Sequence, residues 1–126
     1  MAKVLIIDDS RVMIHYLRRV LQGPYEVEDW LPASAMEVGE HVLASGADLV
    51  LTDYLMPGCN GVTVARMVMK AKPGLPVIVL TSSRDEDVAA NLRKFQVADI
   101  LHKPVTPDAL LAAVRKAMDS GLPVAG

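Results

Sequence analysis

The chain has 126 residues, 52% of them hydrophobic but only 4% aromatic, which suits one domain whose aliphatic core buries roughly two thirds of the surface of the unfolded chain. Thirteen Lys and Arg against fifteen Asp and Glu leave a formal charge of -2, without the basic excess of an autonomous nucleic-acid binder, so direct DNA contact is not expected. One cysteine, Cys59, excludes an internal disulfide, and no signal peptide and no run approaching ~18 apolar residues is found, so a soluble, cytoplasmic protein without membrane contact is expected.

Val4 to Ile7 is a continuous apolar run ending in Asp8-Asp9. Ser10 then caps a helix with Met13, Leu17, Val20 and Leu21 on one face and Arg11, His15, Arg18 and Gln22 on the other, Arg19 lying beside them. Gly23-Pro24 ends that helix. Tyr25 to Leu31 reads as a second strand, and Pro32 to Ser45 as a helix that packs through Met36, Val38, Val42 and Leu43. Ala47 to Asp53 is the third strand, apolar until it stops on an acid. After the Pro57-to-Gly61 loop, Val62 to Lys72 forms a helix that Pro73 stops. Pro76 to Thr81 is the fourth strand, followed by a helix capped by Ser82 or Ser83, with Asp85, Glu86 and Asp87 in its first turn and Arg93 and Lys94 in its last. Both charge groups complement the helix dipole. Ala98 to Lys103 is the fifth strand, and Thr106-Pro107-Asp108 opens a final helix with the stripe Leu110, Leu111, Val114, Ala117 and Met118.

Short apolar strands alternating with helices argue for an α/β fold, a five-stranded parallel sheet with helices on both faces. Residues 1–120 read as one domain, and 121–126 as a tail or the start of a linker. In such a sheet all the strands' C-terminal ends share one edge, where open α/β sheets place their ligands. That edge collects Asp8, Asp9, Asp53, the Thr81 hydroxyl and the Lys103 ammonium. Taken singly these are ordinary residues, since strand-end acids often cap helices and a lone lysine is usually solvated. Together they place three carboxylates where joint ionisation is resisted unless a cation is present. A hard divalent ion such as Mg²⁺ takes such oxygen ligands and commonly shares them with a phosphoryl group.

Val4-Leu-Ile-Ile-Asp-Asp-Ser10, Leu51-Thr-Asp-Tyr-Leu-Met-Pro57 with Gly61, Val79-Leu-Thr-Ser82 and Lys103-Pro104 resemble the motif set of two-component response-regulator receiver domains, over essentially the whole chain. The resemblance implies a flavodoxin-like, doubly wound (βα)5 fold with strand order 2-1-3-4-5. It implies that Asp53 accepts a phosphoryl group from a histidine kinase or histidine phosphotransfer protein. Asp9, Asp53 and the backbone carbonyl of Leu55 would hold Mg²⁺, with Asp8 acting largely through a metal-bound water. Thr81 and Lys103 would contact the phosphoryl oxygens, and the Lys103-Pro104 bond would be cis. Such a domain is a switch rather than an enzyme with a separate substrate, although it assists its own phosphorylation and dephosphorylation. It acts on a downstream protein target or on an output domain beyond Gly126; a single-domain regulator of chemotaxis or of a phosphorelay is the first expectation.

Several positions depart from the family pattern. Ile100 stands where receivers usually carry an inward-turning Tyr or Phe, so the switch built on Thr81 and Ile100 is expected to work through backbone shifts of the fourth helix and fifth strand. Leu55 replaces the polar residue of fast-recycling regulators and offers no hydrogen bond to an attacking water, so slow hydrolysis is expected. Trp30 is expected to pack over the second helix, and His15, His41 and His102 to be surface or edge residues. The basic face of the first helix is either simply its wet side or a docking face for an acidic phosphotransfer partner. A haloacid-dehalogenase-like Mg²⁺ phosphatase is the alternative, but that class wants a second Asp two residues after its nucleophile, where Asp53 has Leu55 and Asp8 has Ser10. A flavin-binding module would want a phosphate loop after the first strand, which is absent.

Overall fold

Three strands are apolar at consecutive positions, and in the computed structural model, described over residues 1–120, they form the sheet's interior. These are β1 (Lys3–Ile7), β3 (Leu49–Asp53) and β4 (Val77–Thr81), buried along nearly their whole length. β2 (Glu26–Trp30) and β5 (Asp99–His102) are the more exposed edges. Within this five-stranded sheet every pairing is parallel and the order is β2-β1-β3-β4-β5, as expected.

Because side chains alternate across a strand, the core divides into two layers. Val4, Ile6, Leu49, Leu51, Ile78 and Leu80 belong with Leu17 and Leu21 of α1 (Arg11–Leu21) and Leu110 and Val114 of α5 (Pro107–Ser120). Leu5, Ile7, Val50 and Val79 belong with α2 (Val38–Ser45), α3 (Gly61–Ala71) and α4 (Glu86–Lys94), through Val38, Val42, Val64, Val68 and Leu92. Full burial of each large aliphatic side chain contributes about 1.5–3 kcal/mol, so the sheet is a stiff platform for whatever stands at its rim.

Two helix starts differ from expectation. The helix read from Pro32 begins later: Ala35–Glu37 is a 3-10 turn, Ser34 accepts from the Met36 amide at 3.2 Å, and α2 proper starts at Val38. Val38 and Val42 pack one turn apart, whereas Met36 and Leu43 are 85% and 55% exposed. Leu43 lies one residue, about 100°, around the helix from Val42 and so misses the sheet. Neither Ser82 nor Ser83 caps α4. Asp85 does, its Oδ1 accepting from the Asp87 amide at 2.8 Å, while the Ser83 hydroxyl accepts from the Asp85 amide at 3.1 Å and so builds the preceding turn. Ser10, by contrast, caps α1 as expected.

The segment 121–126, expected to be a tail or linker, lies outside the described residues. Among the described residues no helix is long and apolar enough to cross a membrane. The capping geometry carries a test: Asp85→Ala should lower stability by about 1 kcal/mol in chemical denaturation, and Ser82→Ala should leave the midpoint nearly unchanged.

Candidate functional site

Parallel register sets the site. Ile7 of β1 pairs with Thr52 of β3, so Asp8 and Asp53 leave neighbouring strands side by side. Carboxylate oxygens of Asp8, Asp9 and Asp53 all lie within 4.8 Å of one another. Asp8 and Asp53 are buried, at 1% and 8% exposure, and Asp9 is exposed. Lys103 reaches in from the end of β5, its Nζ donating to Asp53 Oδ1 at 2.8 Å. The Tyr54 amide donates to the same oxygen at 3.0 Å.

The remaining expected residues arrive by backbone placement. The Lys103 amide donates to the Thr81 carbonyl at 2.9 Å, and the Lys103-Pro104 bond is cis. Thr81 is buried at the end of β4, its Oγ1 accepting from the Ser83 amide at 3.0 Å. Leu55 is 71% exposed and pairs with Asn60 in a short antiparallel ladder where the sequence reads only as a loop. Gly61 closes the loop: its amide donates to the Tyr54 carbonyl at 2.7 Å, and a Cβ there would come within 3.1 Å of Tyr54 Cα and Val79 Cγ1. Ile100 is not at the rim; it sits farther back on β5, opposite Val79, and lines a groove with Arg84, Ala89 and His102 beside α4.

Burial pushes the Asp8 carboxyl up, reinforced by the charges of Asp53 and Asp9 and opposed by the Ser10 amide on its Oδ1 and by Lys103. Its Oδ2 is buried with no hydrogen-bond partner among the described residues. An orphaned carboxylate oxygen beside two further carboxylates is a donor set suited to a hard cation, and Asp8, Asp9 and Asp53 are the residues that could hold one.

Beside this rim, Arg11 and His15 of α1 are exposed, as is Arg19 farther along the helix, but Arg18 is taken by Asp29, Nε to Oδ1 at 2.7 Å. Trp30 packs over α2 as expected, stacking on His41 at 3.9 Å between ring centres. His41 is therefore no free surface residue; its Nε2 also meets Glu28 at 2.8 Å, and Glu28 pairs with Lys3 at 2.8 Å. The hydrogen bond from Lys3, helped by His41, pulls the Glu28 carboxyl below its usual range against the opposing effect of burial.

The response regulator receiver domain family model matches residues 4–115. The chain belongs to this family. It is 31% identical over 115 residues to the phosphoglycerate transport system transcriptional regulatory protein PgtA of Salmonella typhimurium, covering 91% of this chain and 27% of that protein. It is 32% identical over 118 residues to the DNA-binding response regulator MtrA of Mycobacterium leprae, covering 90% and 49%. A response regulator receiver domain protein from Clostridium thermocellum, known from its crystal structure, superposes with a TM-score of 0.79 at 30% identity, over 95% of this chain and 96% of that one. The chain thus spans about a quarter to a half of the length of these two curated relatives. The fold is the flavodoxin-like receiver fold, and a phosphatase of the haloacid-dehalogenase type draws no support from the match.

The strained carboxylate gives a pH-dependent prediction. A carboxyl raised in the folded state contributes stability that is present in acid and lost as pH rises through its folded value. Asp8→Asn removes that loss while keeping an oxygen for the Ser10 amide. Its Tm should exceed the parent's at neutral pH by roughly 3–5 °C, what about 1 kcal/mol does in a domain this long. In thermal melts the gap should close below the ordinary carboxyl range, and Mg²⁺ should stabilise the parent more than the variant.

Proposed function

We propose that this receiver is a Mg²⁺-dependent phosphoacceptor switch in which Asp53 takes the phosphoryl group of a phosphohistidine on a histidine kinase or histidine phosphotransfer protein. The observation that carries this reading is the 2.8 Å contact of Lys103 with Asp53 beside the carboxylates of Asp8 and Asp9. An Asp53 oxygen attacks phosphorus, the P–N bond to the partner's imidazole breaks, and the imidazole leaves with the bonding electrons. Lys103 and the Tyr54 amide hold the nucleophile at the strand end, and Lys103 then neutralises phosphoryl oxygens; positioning and charge are most of what phosphoryl transfer asks of a protein. Asp9, Asp53 and the Leu55 carbonyl, with Asp8 largely through a bound water, would hold Mg²⁺, which would supply further positive charge for those oxygens. Exposed Arg11 and His15 flank the site, with Arg19 farther along α1, and suit an acidic docking partner.

Thr81 provides the readout. Turning to donate its O–H to a phosphoryl oxygen moves the Thr81 oxygen that accepts from the Ser83 amide, and Ser83 Oγ in turn accepts from the Asp85 amide at the start of α4. This relay needs no aromatic rotamer, so Ile100 follows the movement of α4 and β5 rather than driving it. Residues 1–120 form the receiver unit, acting in the cytoplasm on a downstream protein or an attached output domain, without direct contact to nucleic acid. Catalysis is confined to its own phosphorylation and dephosphorylation.

Incubation with a small acyl phosphate and Mg²⁺ should add one phosphate by intact mass, and Asp53→Ala should abolish the gain; a parent chain that stays unmodified under every donor would sink the reading. Backbone amide shifts in the phosphorylated sample should concentrate in the 81–87 turn, α4 and β5. The exposed apolar side chain of Leu55 predicts a long-lived phosphate. Leu55→Asn should shorten its half-life by roughly tenfold, the low end of what positioning a reacting water contributes, and an unchanged half-life would count against this role.

A further inference from the structure

The phenol of Tyr16, midway along α1, donates a 2.6 Å hydrogen bond to the Val105 carbonyl, 89 residues away in sequence. Val105 lies two residues after Lys103, in the segment joining β5 to α5. Tyr16 and Val105 are both half-buried and pack against the core layer shared by α1 and α5. Pro104 has no N–H with which to anchor this segment. The carbonyl next to it must find a donor or face solvent, and Tyr16 is that donor. Since α1 follows directly on Asp8-Asp9-Ser10, one phenol ties the helix that leaves the acid pair to the segment that leaves the site's cation.

We propose that Tyr16 is a positioning residue that holds the Lys103 ammonium at Asp53. The proposal rests on the phosphoacceptor reading above, in which Lys103 also meets the phosphoryl oxygens. The Lys103 main chain is clamped on both sides. Before the side chain, its own amide is bonded to the Thr81 carbonyl at 2.9 Å; after it, the Val105 carbonyl is bonded to Tyr16 at 2.6 Å. With the second clamp gone, the peptide between Val105 and Thr106 can rotate, the backbone leaving Lys103 through Pro104 is no longer held on that side, and the long lysine arm amplifies the shift at its tip. No hydrogen bond joins Tyr16 to Asp8, Asp9 or Asp53 among the described residues, so its influence on the chemistry passes through Lys103.

Tyr16→Phe removes the clamp and keeps the ring. At saturating Mg²⁺ and acyl phosphate, its maximal rate of Asp53 phosphorylation falls roughly three- to tenfold, the span of one net hydrogen bond. Mg²⁺ affinity by calorimetry does not fall, because Asp8 and Asp9 follow directly on β1, Asp53 ends β3, and Tyr16 bonds to none of them among the described residues. In a Lys103→Ala background the same substitution has no further effect on the rate, since the two residues act in series. A parental rate in Tyr16→Phe, an equal loss in both backgrounds, or a parallel loss of Mg²⁺ affinity overturns the proposal. A second readout needs no phosphate: the Lys103 Cε resonance of the free protein shifts in Tyr16→Phe while that of Lys70 does not. If the parent chain accepts no phosphate, the phosphoacceptor reading falls and this resonance alone decides for Tyr16; an unmoved Lys103 signal overturns the clamp.

Discussion

The structure is organised around a repulsion. Three carboxylates with oxygens within 4.8 Å of one another meet one ammonium. At that spacing two unit charges repel by about 3–4 kcal/mol at an effective dielectric constant of ~20. A single Lys103 does not balance such a set, and among the described residues the buried Asp8 Oδ2 has no hydrogen-bond partner. The two aliphatic core layers hold these groups in place regardless, because moving either strand end would disturb a ladder buried on both faces. The excess charge is thereby a standing demand for a cation.

Much of this was legible in the sequence because the central strands need no partner to be recognised. Runs such as Val4–Ile7 and Val77–Leu80 are apolar without interruption, and parallel pairing puts all their C-terminal ends on one edge. Asp8, Asp9, Asp53, Thr81 and Lys103 could therefore be grouped before any contact was seen. Features set by competition between neighbouring polar groups were not legible. Asp85 displaces Ser82 and Ser83 as the α4 cap because Ser83 is already engaged in the turn, and in the sequence all three are adequate caps. The Tyr16–Val105 bond joins residues 89 apart, and a tyrosine on the core side of an amphipathic helix reads only as packing.

The same competition explains how this receiver could signal without an aromatic at position 100. Thr81, Ser83 and Asp85 each accept an amide two residues ahead, so three short bonds run from the rim to the first turn of α4. α4 offers little resistance to such a pull. Leu92 is its one fully buried side chain, with Val88 and Ala89 half-buried, whereas α3 buries Val64, Ala65 and Val68 in a row. A helix held by so few contacts belongs to the low-stability end of a fold, where moving parts are drawn from.

The edges of the sheet have a different consequence. β2 and β5 each leave one side of the ladder unpaired, a surface onto which another strand could add. β2 carries Glu26, Glu28 and Asp29 within five residues, Glu28 and Asp29 paired with Lys3 and Arg18, and β5 carries Asp99 and the polar ring of His102. Stripping water from these polar and ion-paired side chains makes stacking one sheet onto the next unfavourable. With a formal charge of only -2 on the whole chain, general repulsion between molecules is weak. Resistance to edge-to-edge aggregation therefore rests on a handful of side chains at the two margins of the fold.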